Sequence, residues 1–79
     1  MFDFNEIQVF PNPVKTVLNI KNKSVKKINK IMLHDIQGKV ILEVNNNDDK
    51  IDLSELKMGI YILNLTIDAI NYQYKVIKK

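Results

Sequence analysis

Rows of alternating apolar residues run through most of this chain: Leu18 and Ile20; Ile31 and Leu33; Val40, Leu42 and Val44; Tyr61, Leu63, Leu65 and Ile67; Tyr72, Tyr74 and Val76. A period of two puts such residues on one face of an extended strand, whereas a helix would space them three and four apart. These rows are the expected core. The strands that carry them are expected at 7–10, 17–22, 27–35, 39–44, 51–53, 60–68 and 72–78. Ile41, Ile62 and Ile77 fall on the opposite rows, so the second face is not uniformly polar and is expected to be partly covered or sticky.

The segments between the rows carry turn chemistry. In Asp35-Ile36-Gln37-Gly38 the aspartate can bond the turn backbone and Gly38 can take positive φ, as a hairpin built on a type I turn with a following left-handed residue requires. Asn45-Asn46-Asn47-Asp48-Asp49 is too polar to pack and reads as a solvated loop. The stretch 53–59 has room for one helical turn before Gly59 resets the backbone for the longest strand, and 68–71 closes the last hairpin. Phe10-Pro11-Asn12-Pro13 is a stiff corner, because each proline fixes φ and removes a donor and so cannot continue a ladder. Turns this frequent between strands this short describe an all-β domain, a sandwich or a barrel, rather than alternating βα units.

Size then limits what the domain can do. With 79 residues there is one core, and every function must be carried by that core and its surface. The absence of cysteine removes disulfides and thiolate metal clusters without excluding export. No stretch approaches the roughly 20 apolar residues of a membrane helix, so the chain is not expected to span a membrane as a helix. The N-terminus has Asp3 and Glu6 where a secretory signal would have Lys or Arg. If the protein is exported, that signal lies upstream on a longer precursor or the domain itself is the signal. Basic residues exceed acidic ones by twelve to nine, but all twelve are lysine. Phosphate and base-edge recognition favours the bidentate guanidinium, so nucleic acid is not the expected partner.

Candidate chemistry is sparse. His34, the single imidazole, lies beside Asp35, but Ser24, Ser54, Thr16 and Thr66 fall in no nucleophile-elbow pattern and no triad can be assembled. Asp48, Asp49 and Asp52 with Asn46 and Asn47 offer oxygens, yet their spacing lacks the central Gly and terminal Glu of a calcium loop. Tyr61, Tyr72 and Tyr74 alternate like core residues rather than forming a platform for sugars, and there is no tryptophan. The expected domain has no catalytic residues, no metal, no cofactor and no small-molecule substrate.

Several features occur in a fixed order: Val9-Phe10-Pro11-Asn12-Pro13-Val14, Leu18-Asn19-Ile20, Ile31-Met32-Leu33-His34-Asp35 with Gly38-Lys39-Val40, Ile51-Asp52-Leu53-Ser54-Glu55-Leu56, Gly59-Ile60-Tyr61-Ile62-Leu63, and Lys75-Val76-Ile77-Lys78-Lys79. This set resembles the type A C-terminal sorting domain of the type IX secretion system and covers nearly the whole chain. The resemblance implies an immunoglobulin-like antiparallel β-sandwich of about seven short strands. It implies a secretion signal in Bacteroidota that directs a cargo protein from the periplasm across the outer membrane to the medium or cell surface. The implied partners are the type IX translocon, an outer-membrane β-barrel shuttle and a sortase that removes the domain.

By matched position, Pro11, Asn12 and Pro13 stand for the first motif, Gly38 for a structural hairpin glycine, Gly59 and Tyr61 for a G-x-Y motif, and Lys75, Lys78 and Lys79 for a basic tail. All but Gly38 are candidate partner-binding residues. Lys78 and Lys79 are expected to project past the core into solvent. His34 departs from the pattern, in which an aromatic is commoner. Residues 1–8 are expected to be a linker or a lead-in to the first strand, and 9–79 the sorting domain. The alternative reading is a non-catalytic spacer or a carbohydrate-binding accessory module of a secreted enzyme.

Overall fold

A computed structural model describes residues 6–45 and 48–79. It contains seven strands: β1 (Ile7–Phe10), β2 (Val17–Asn22), β3 (Lys30–Asp35), β4 (Val40–Val44), β5 (Lys50–Asp52), β6 (Gly59–Ile67) and β7 (Ile70–Lys78). They form two sheets, ordered β1-β2-β5 and β4-β3-β6-β7, with every neighbouring pair antiparallel. The apolar rows face one another across the two layers. Leu18, Ile31, Leu33, Leu63, Leu65, Ile67 and Val76 are fully buried there. The result is an immunoglobulin-like β-sandwich in which the fourth strand joins the second sheet instead of the first.

Five further buried residues, Ile7, Val14, Ile28, Ile51 and Leu53, stand outside the rows of alternation. Val14, Ile28 and Leu53 lie outside the strands, so no periodicity marks them. Val40 corrects the expectation in the other direction. A bulge between Leu33 and His34 shifts the β3–β4 register, so Leu42 faces Leu33 while Val40 faces His34 and is 49% exposed. One inserted residue moves the strand beyond it to the other face. Ile41, at the bulge, packs against the core instead.

The turns follow the expected chemistry. Asp35 Oδ1 accepts from the Gln37 and Lys39 amides, both at 2.9 Å, and Gly38 has φ of 90°. Leu56 N–H donates to the Leu53 carbonyl at 3.0 Å, a single turn rather than a helix. The expected strand at 27–35 starts only at Lys30; just before it, Asn29 donates its amide to the Thr66 carbonyl at 2.8 Å and accepts the Asp68 amide on its side-chain oxygen at 3.0 Å. The β6–β7 hairpin is tighter than the composition of 68–71 suggests. Ile67 pairs with Ile70, leaving a two-residue loop in which Asp68 and Ala69 have φ of 52° and 66°. The primed turn suits the strand twist, but a Cβ at Ala69 is disfavoured there. Ala69→Gly is expected to stabilise the domain by about 0.5–1 kcal/mol and raise its melting midpoint by about 3–6 °C. A thermal melt checks it, and an unchanged or lower midpoint would contradict the turn assignment.

Candidate functional site

The proline corner lies against the far end of the last strand. Pro11 and Pro13 have no N–H to give, and the bonds Phe10–Pro11 and Asn12–Pro13 are both cis. The residue between them substitutes its side chain for the missing backbone pairing. Asn12 Nδ2 donates to the Lys75 carbonyl at 2.8 Å, and Asn12 Oδ1 accepts from the Ile77 amide at 2.9 Å. A primary amide offers the same donor and acceptor as a peptide group, so it can occupy one rung of a ladder. Val14 supplies the next rung with its own backbone, donating to the Ile77 carbonyl at 2.8 Å and accepting from the Lys79 amide at 2.9 Å. β7 is the outermost strand of its sheet, and these four bonds close the half of its edge that ends at Lys79.

The G-x-Y motif meets the same place from the other side. Gly59 pairs with Lys78 across the β6–β7 ladder, while Val14 bridges Lys78 in parallel from the opposite edge. Three motifs separated in sequence therefore converge around Lys78. Gly59 has φ of 157°, and a Cβ built there would lie 4.0 Å from the Tyr61 ring. Tyr61, opposite Val76 and Asp35, is buried, and its hydroxyl donates to the Lys57 carbonyl at 2.7 Å. This is the tyrosine corner of immunoglobulin-like sandwiches, in which the phenol ties the start of a strand to the chain just before it. Tyr61 is thus committed to positioning, and little of it faces outward.

Lys78 is not where alternation past the core was expected to leave it. It is only 6% exposed, its stem runs inward on the Val76 row, and its Nζ donates to the Lys79 carbonyl at 2.8 Å. The strand stays regular to Lys78 because Gly59 and Val14 hold it on both sides, so period two persists and turns this side chain in. Lys75 and Lys79 are exposed, as are Pro11, Asn12 and Pro13. Gly38 lies in the β3–β4 turn, which is at the same end of the sheet but belongs to the strands beyond β6.

The other candidate groups are occupied by structural bonds. His34 Nδ1 lies 2.8 Å from the Asp35 backbone carbonyl, while the Asp35 carboxylate caps its turn. The two do not form a catalytic pair. Asp52 Oδ1 accepts from the Ser54 amide at 2.9 Å, and that bond holds its carboxyl below the usual range. Asn46 and Asn47 lie outside the described residues; among the described residues, no group of three or more potential ligands gathers for a metal. Tyr74 is half-buried on the inner row, and burial pushes its hydroxyl pKa up. No helix among the described residues is long and apolar enough to cross a membrane.

Comparison with known proteins accords with this geometry. A family model described as the secretion system C-terminal sorting domain matches residues 8–79. Beta-agarase D of Zobellia galactanivorans is 39% identical over 61 residues, which make up 77% of this chain. The match spans only 12% of the agarase's own length.

Proposed function

Because this chain belongs to the secretion system C-terminal sorting domain family, we propose that its last strand and the corner clamped to it form the feature that the export machinery reads. Domains of this family are C-terminal signals for type IX secretion, and the protein is secreted or displayed at the cell surface. A sorting signal of this kind is normally non-catalytic, and the site supports that reading for this domain. His34, Asp35, Asp52 and Tyr61 are engaged in turns, caps and the core. The domain proper is taken as 9–79 together with Ile7 and Gln8, which already pair with β2. The partners in this reading are the translocon and the outer-membrane shuttle barrel, followed by a sortase that detaches the domain at the surface.

The observation that carries the proposal is the convergence of the Asn12 corner, Gly59 and the Lys75–Lys79 segment on one end of the sandwich. A spacer would need the core but not this arrangement. Fusion of the chain to the C-terminus of a fluorescent protein carrying a Sec signal tests the reading in a type IX-competent host. The fusion is expected in the medium or on the cell surface, with a shortened product where the sortase has acted. Periplasmic retention in a host that exports its own cargo would favour the spacer instead. Deletion of residues 75–79 is unsuited as a comparison, since it also removes the partners of Asn12 and Val14.

A further inference from the structure

Resting on the export reading above, the geometry points to a docking surface on the outer face of the four-stranded sheet that takes a protein segment presenting apolar side chains around a carboxylate. The outer face of a solvated antiparallel sheet is ordinarily polar. One end of this face is polar: Asn64 stands opposite Gln73, and Thr66 opposite Asn71. The other end is not. Ile60 stands opposite Ile77, the two being 41% and 37% exposed, and the adjoining row runs Val40, His34, Ile62 and Lys75 across all four strands. The bulge in β4 is what delivers Val40 to this row. Isoleucines at 60, 62 and 77 and valine at 40 thus form one patch without serving the core.

Charge selects the occupant. Along the outer row of β7, Lys75 and Lys79 flank Ile77, and both are exposed. Among the described residues, neither has a carboxylate within ion-pair distance, whereas Lys30 at the polar end is paired with Glu43 at 3.5 Å. An apolar patch flanked by unneutralised cations is complementary to apolar side chains set around an Asp or Glu. A sugar is a poorer fit, because no Trp, Tyr or Phe lies in the patch. A second copy of this chain is poorer too, since it would bring Lys75 against Lys75 or offer no matching acid. Asn12 acts here as a positioning residue: its amide is consumed in holding the Lys75 and Ile77 backbone, so it fixes the row without facing the partner.

The same fusion decides the matter, with variants chosen on exposed positions. Ile60→Thr/Ile77→Thr keeps branched strand-forming side chains, and Lys75→Glu reverses the charge. Each is expected to cut export by about ten-fold or more, the loss associated with a central interface contact. At the polar end, Gln73→Glu is expected to export like the parent. Thermal melts of the purified proteins report folding, and if the isoleucine pair melts early, Lys75→Glu decides alone. Export at the parental level by a folded Ile60→Thr/Ile77→Thr or Lys75→Glu variant overturns the surface while leaving the sorting reading intact. Retention of the parent itself removes both. Dimerisation in light scattering, or co-sedimentation with vesicles of anionic lipid, lost in the isoleucine variant, would assign the patch to a second copy or a membrane and overturn the protein partner.

Discussion

Leu63→Ala is expected to cost the domain about 2–5 kcal/mol and to lower its denaturant midpoint sharply. Leu63 is fully buried at the centre of β6, between Leu33 on β3 and Tyr74 on β7. It therefore sits where both ladders of the larger sheet meet the core. Removing a leucine side chain from such a position costs about 2–5 kcal/mol, through lost transfer energy and the cavity left behind. A chain of this length has a total stability of about 4–12 kcal/mol and no disulfide to supplement it. The substitution thus removes a large share of the whole. Leu63→Met, which conserves volume, should cost less than about 1.5 kcal/mol. Denaturant melts of the two variants compare them directly. A Leu63→Ala midpoint close to that of the parent would mean that the packing between the sheets is looser than the buried rows require.

Val14→Asp is expected to be as damaging, for an electrostatic reason. Val14 has no accessible surface, and its backbone makes two of the four bonds that hold the corner to β7. A carboxylate there would be stripped of water, and the neighbouring cation, Lys78, is itself buried with its ammonium already bonded to the Lys79 carbonyl, so desolvation outweighs the attraction at a cost of several kcal/mol. Burial raises the folded-state pKa of such a group above its unfolded value of about 3.9. The sign follows from proton linkage: below about pH 4 the group is neutral in both states, and stability falls as pH rises towards the folded pKa. Val14→Asn, similar in size and without a titrating proton, isolates that effect. The two variants should melt alike near pH 3 and separate above about pH 4, with Asp the weaker. Parallel curves across this range would show that residue 14 reaches water.

The wider arrangement of motifs bears on how an export signal can be both stable and legible. The residues that match the family pattern divide into two kinds here. Asn12 spends its hydrogen-bonding capacity on the end of β7, while Gly59 and Tyr61 fix the start of β6, which pairs with that end. Lys75 and Lys79 remain exposed on the strand so fixed. Rigid presentation lowers the ordering cost of binding, which explains why a recognition strand would be clamped on both sides rather than left to fray.

Alternation was legible in the sequence because strand geometry imposes it locally. Leu18 and Ile20, Ile31 and Leu33, and the row from Tyr61 to Ile67 are buried as their spacing implies, and the Asp35–Gly38 turn forms from its own side chains. The ordered motifs were legible for the same reason, since each is a short continuous stretch. Their meeting was not. Asn12 and Lys75 are 63 positions apart, and nothing in the local preferences of either states that one amide will complete the edge of the other's strand. The burial of Val14, Ile28 and Leu53 depends on which loop the closed sandwich brings over the core, not on any period. The exposure of Val40 depends on a bulge that exists only once β3 and β4 have paired. Lys78 shows both sides of the division. Its place at the end of the last row led to the expectation that it projects past the core into solvent, but the contacts from Gly59 and Val14 keep the strand regular far enough for period two to turn it inward. Sequence determined which residues alternate and where the chain turns, because those depend on neighbours along the backbone. Tertiary structure alone decided which edges are closed, which faces remain open and which lysines stay exposed, because those depend on pairing between segments far apart in the chain.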